Sequence, residues 1–167
     1  MSFQTEQLLG ADFSRVDDTA AFAVGTVAHG TDGGEWTYGK AGGAITGADY
    51  VAVLDAAWSA TLASTTNSPF GLRIGVAPGA MAQNQYGWFQ TGGVRPGIRV
   101  NASCAANVKL NTTATGGLLD DDGNGGAKTA SGIVLTTANG VAAGSAPGVI
   151  FNPVMNELYV AERGGGA

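Results

Sequence analysis

The sequence predicts an all-β protein, in which short antiparallel strands form a barrel or sandwich. Three observations carry that expectation. Glycine fills 28 of 167 positions without the G-X-Y period of collagen, so it marks many tight turns. The apolar runs are short, and Gly, Pro, Asn, Asp or Ser bounds each of them, as strands require. Several runs alternate apolar and polar residues, as in Ile98-Arg99-Val100 and Val108-Lys109-Leu110, which gives a strand one buried face. Long helices are disfavoured, because each interior glycine costs about 1 kcal/mol relative to alanine.

In chain order, strands are expected at 22–28, 35–41, 50–54, 58–63, 72–77, 86–91, 97–101, 107–111, 131–137, 148–152 and 157–161. A gapped internal repeat runs through 36–62 and 88–110. Trp36, Gly42-Gly43-Ala44, Gly47 and Val51-Ala52-Val53 in the first copy match Trp88, Gly92-Gly93-Val94, Gly97 and Ile98-Arg99-Val100 in the second. Each copy then reads as a β-meander, and two such meanders would share one core. Composition alone also makes glycine-punctuated strands look alike. The expected organisation is an N-terminal arm at 1–21, a β domain at 22–161 and a flexible tail at 162–167.

Charge narrows the functional classes. Eight basic and thirteen acidic residues give a net charge of −5, and no cluster of Lys and Arg suggests a nucleic-acid partner. No apolar run reaches the roughly 18 residues of a membrane span, so no membrane partner is expected. The first residues lack the basic-then-apolar pattern of a secretory signal. Cys104 is the single cysteine, so no intrachain disulfide is available and oligomerisation is the expected source of extra stability.

Motifs that carry chemistry are few. Asp120, Asp122, Asn124 and Gly125 match the first half of a calcium loop, but Ser131 stands where a bidentate glutamate is needed. A solvated turn is the favoured reading. The stretch Asn124-Gly125-Gly126-Ala127-Lys128-Thr129 misses the glycines of a phosphate loop at Ala127 and Asp122. His29 and Cys104 are each the sole residue of their type, so a Cys–His site would need both. Trp36, Tyr38, Tyr50, Trp58, Tyr86, Trp88 and Phe89 fall in or beside strands and read as core, with a sugar platform as the functional alternative. No catalytic residue, cofactor or metal is expected, and the chain is read as a non-enzyme.

Three stretches carry a likeness: Glu35-Trp36-Thr37-Tyr38-Gly39-Lys40-Ala41-Gly42-Gly43-Ala44-Ile45-Thr46, Tyr86-Gly87-Trp88-Phe89-Gln90-Thr91-Gly92-Gly93, and Thr112-Thr113-Ala114-Thr115-Gly116-Gly117-Leu118-Leu119-Asp120. Over residues 22–152 the chain resembles the capsid decoration, or head cement, proteins of tailed bacteriophages. The resemblance implies a virion protein on the capsid exterior, made in the host cytoplasm, without an active site. It also implies the major capsid protein as partner, and self-assembly into a cyclic homo-oligomer with a trimer favoured. A tail or head-fibre module and a carbohydrate-binding β domain are the alternatives. Within the arm, Phe3, Leu8, Leu9, Phe13 and Val16 are the expected contacts to capsid or to a neighbouring copy, since they are too widely spaced for one strand face.

Overall fold

A computed structural model describes residues 11–30, 33–123 and 125–158, with Glu157 and Leu158 described by backbone alone. The fold is all-β, and no helix occurs among the described residues. Eleven strands run in chain order among the described residues: β1 (Val16–Asp17), β2 (Val27–His29), β3 (Glu35–Ala41), β4 (Val51–Leu54), β5 (Ser59–Leu62), β6 (Arg73–Val76), β7 (Tyr86–Val100), β8 (Leu110–Thr112), β9 (Leu119–Asp120), β10 (Lys128–Leu135) and β11 (Gly144–Leu158).

Their hydrogen bonds close two five-membered rings that share β7. One ring runs β3–β5–β4–β6–β7, and the other runs β7–β9–β8–β10–β11. The expectation of antiparallel strands meets a geometric limit here. Around a ring of five, direction cannot alternate at every step, so one neighbouring pair must run parallel. Those pairs are β3 with β5 and β7 with β9, and every other ladder is antiparallel. A bridge between Val154 of β11 and Arg73 of β6 joins the two rings.

Strand β4 is buried on both faces. Ala52 and Leu54 point into the first ring with Ala41, Ala60 and Phe89. Val51 and Val53 point the other way, onto Ile98, Leu110, Leu135 and Ile150 of the second ring. One ring wall therefore plugs the other ring, and the continuous apolar run Val51-Ala52-Val53-Leu54 follows from that. A third cluster, of Ala28, Trp36, Tyr38 and Trp88, lies between β2, β3 and β7.

Two pairs of expected strands merge. Segments 86–91 and 97–101 form the single strand β7, and 148–152 continues into the next segment as β11. The Gly92-Gly93 step is therefore not a turn. A Cβ on Gly93 would stand 2.8 Å from the Cα of Gly34, and its φ is +92°, so glycine there lets two backbones approach closely. The two copies of the expected repeat differ here: Gly42-Gly43 follows the end of β3, whereas Gly92-Gly93 lies inside a strand, and Ile98-Arg99-Val100 continues β7 where Val51-Ala52-Val53 begins a strand of its own.

Where β7 passes between the rings it carries a buried arginine. Arg95 donates from Nε to Gly97 O at 3.2 Å and from Nη1 to Gln90 Oε1 at 3.3 Å. Its Nη2 donates to Asp49 Oδ1 at 2.9 Å and to Ala77 O at 3.1 Å. The Gln90 amide donates in turn to the carbonyls of Gly92 and Val94, both at 3.0 Å.

The boundary of the arm also moves. Phe13 stacks on Trp36 with centroids 4.9 Å apart and meets Trp88 edge-on at 5.4 Å. Val16 packs on the first ring's core, and β1 pairs with β7. Residues 11–21 thus belong to the β domain, because the aromatic cluster on β3 and β7 needs a cover. Replacing Phe13 by Ala is expected to cost about 2–3 kcal/mol in urea unfolding of the isolated chain. A loss below about 0.5 kcal/mol, the range of a neutral surface change, would return this segment to the arm.

Candidate functional site

Of the expected arm contacts, Phe3, Leu8 and Leu9 lie outside the described residues, as does the tail at 162–167. Phe13 and Val16 are committed to the chain's own aromatic cluster and core. Of the aromatics read as core, Tyr38, Trp88 and Phe89 are buried and Trp36 is 9% exposed, whereas Tyr50, Trp58 and Tyr86 are partly buried against the core clusters. The four buried rings offer no sugar platform.

The acidic loop after β9 acts as a clip. Asp120 Oδ2 accepts from Asn101 Nδ2 at 2.6 Å, and Asp121 Oδ2 accepts the Ala105 N–H at 2.9 Å. Asn124 lies outside the described residues, and Ser131 sits within β10, where its hydroxyl is bonded to Asn156. Cys104 comes close enough that one ligand atom from it, one from Asp120 and one from Asp121 lie within 4.8 Å of one another. Burial, then the Asp121 charge, push the Cys104 thiol up to about 12, while the Ala105 N–H is the main cause that lowers the Asp121 carboxyl. Without a metal the thiol therefore stays protonated at neutral pH. The two carboxylates serve to tie the segment after β7 to β9. His29 lies elsewhere, exposed at the end of β2 with Nε2 3.6 Å from Glu35 Oε2, so it does not join Cys104.

What sequence reasoning missed is an outward apolar face. Val94 is 68% exposed and Phe151 is 71% exposed. Val94 pairs across β7 and β11 with Val149, which pairs across β10 with Val134. The three valines form a row across three strands. Their chain neighbours Ile133, Leu135 and Ile150 point into the core. Exposed Pro96 and Pro147 extend the row. None of these six outward residues is charged.

Beside this face the strands part. β10 pairs with β8 at Ala130–Leu110, and the next contact is the Asn107 N–H to Leu135 O at 3.0 Å. Between the two, no strand pair joins residues 131–134 to the segment of Val108 and Lys109. An open groove of about 700 Å³ results, with Phe70 and Phe151 among its walls.

Two outcomes follow from the acidic loop. Melts in calcium and in chelator should agree within about 1 °C, and a rise of about 10 °C with calcium would restore a metal site. The raised thiol means that folded Cys104 holds its proton more tightly than unfolded Cys104. Its contribution to stability is therefore complete below its ordinary value of 9.0 and is lost as pH climbs from there towards about 12. Urea midpoints of the parent should fall further than those of Cys104→Ala between those limits; parallel falls would refute the assignment. The chain matches no protein-family model and no curated protein.

Proposed function

We propose that this chain is a structural protein of a virus particle, a decoration protein that binds the outer surface of a tailed-phage capsid and stabilises the shell. The observation that carries the reading is the uncharged outer face formed by Val94, Pro96, Val134, Pro147, Val149 and Phe151. A chain of net charge −5 that leaves such a face to solvent has a surface suited to packing against another protein. The likeness of its sequence to capsid decoration proteins names the partner as the major capsid protein, with further copies of this chain alongside it.

The rest of the chain fits that role. Two closed rings that share β7 and a continuous core make a stiff body, and a stiff body loses little freedom on binding. A repeating shell multiplies each weak contact, so a modest apolar face suffices when copies also touch one another around a symmetry axis.

The test uses particles produced from the genome that encodes the chain. The protein should co-purify with full heads, occupy the exterior of the shell in electron density as a cyclic oligomer, and raise the temperature at which heads open. Val94→Asp places a charge on an exposed position, so it should fold normally yet be lost from particles. Density confined to the tail, absence from particles, or full retention of the Val94→Asp variant would overturn the proposal.

A further inference from the structure

The seam between β10 and the segment at 107–109 has the construction of a strand-receiving site. Thr136 N–H donates to Pro147 O at 2.9 Å, so alternation along β10 turns the backbone groups of Val134 and Thr136 towards β11 and those of Ile133 and Leu135 away from it. On that far side the Leu135 carbonyl accepts from Asn107, and the ladder to β8 has no pair beyond Ala130. Gly132 sits just past the last pair with β8. Its φ is +83°, and a Cβ there would stand 2.5 Å from Phe151 O. On its other side β11 bulges, since residues 151–153 face Gly132 between the Ser131–Val154 and Ile133–Ile150 pairs. Such a bulge bends and re-aims the strands beside it.

The walls say what the seam would take. Phe70 is 67% exposed, Phe151 is 71% exposed and Val108 is 39% exposed, which offers apolar surface on both sides of the gap. Lys109 is the one charged side chain in the lining, with no carboxylate beside it there and no ion pair to it among the described residues. Four residues of open strand edge span about 13 Å.

We propose that this seam binds an extended peptide segment of a partner protein, which adds as a strand along residues 131–134, sets alternate apolar side chains against Phe70, Val108 and Phe151, and presents a carboxylate to Lys109. Main-chain hydrogen bonds to Ile133 supply register, and the walls and the ammonium supply selectivity. The open backbone edge favours a peptide over a sugar, because it recognises amides. The single unpaired cation favours an acidic segment. The inference deepens the proposed structural role by naming a contact surface, and it rests on that reading only for which protein supplies the segment.

Selection of a displayed library of random ten-residue peptides on the full chain tests it. Enriched peptides should alternate apolar residues, carry Asp or Glu, and shift the backbone amide signals of residues 131–134. Lys109→Glu should weaken them about tenfold or more, the scale of one lost charge pair, and should select basic peptides instead. Phe151→Ser should also weaken them. Both positions are exposed, and melts matching the parent confirm that the variants fold. Methylating alternate backbone amides of a selected peptide should abolish binding.

Equal binding to parent and variants, or of methylated and unmethylated peptides, overturns the proposal. So does a library that yields nothing at the seam, whether or not an oligosaccharide array shifts the same amides. Loss of self-association in Lys109→Glu with no peptide selected would assign the seam to a second copy instead. Particle retention is read separately with Val94→Asp, so failure of the seam and failure of the capsid role give different patterns.

Discussion

The guanidinium of Arg95 sits where β7 leaves one ring and enters the other, and there a strand has carbonyls it cannot pair in a ladder. Gly97 O and Ala77 O both accept from it, and its charge is met by Asp49. Gln90 serves the carbonyls of Gly92 and Val94. A buried charge is tolerated only when paired and fully hydrogen-bonded, and this one is 8% exposed with four such bonds. Removing one partner of a buried pair typically costs about 3–5 kcal/mol. Here the loss would also release the crossing of β7, on which both ring closures depend. Gly97 belongs to the same constraint, since a Cβ on it would stand 2.2 Å from Asp49 Oδ2.

Sharing β7 has a structural price elsewhere. Each ring has five members, so each must contain a parallel pair, and those pairs are brief: Lys40–Ser59 and Ala41–Ala60 in one ring, Val100–Leu119 alone in the other. Weak closures of this kind hold because the cores beneath them are continuous. Val51 and Val53 of the first ring fill the second ring's core, so neither ring can open without exposing the other's apolar surface. Packing, more than the closing hydrogen bonds, holds the barrels shut.

Much of this was legible in the sequence, and the failures have physical causes. The strands at 35–41, 50–54, 58–63 and 72–77 were readable because turn residues bracket them and their apolar runs are short. The merging of 86–91 with 97–101 was not readable. Gly-Gly followed by Val-Arg-Pro looks like a turn locally, and only the approach of Gly34 and the partners of Arg95 make it a strand. The same blind spot hid the difference between the two Gly-Gly steps, since a glycine that turns a chain and a glycine that admits a neighbour are spelled alike. Phe13 was read as an arm contact because its partners, Trp36 and Trp88, are distant in sequence. The outward face did leave a signal. In Ile133-Val134-Leu135 and Val149-Ile150-Phe151, strand alternation must send some apolar side chains to the surface, and these two runs lie on adjacent strands.

Ring closure also explains why the seam stands out. A sheet closed on itself removes the strand edges through which chains add to one another, and the strands outside the rings, β1 and β2, are two and three residues long. Against that background, four consecutive residues of β10 with no strand pair on the β8 side run counter to the economy of the rest. The chain places a left-handed glycine, two exposed phenylalanines and a lysine with no ion pair among the described residues at one place. Local departures from the otherwise consistent design of a fold concentrate where a surface has work to do. In this protein that departure borders the valine row, so the open edge and the uncharged face form one surface on β10 and β11.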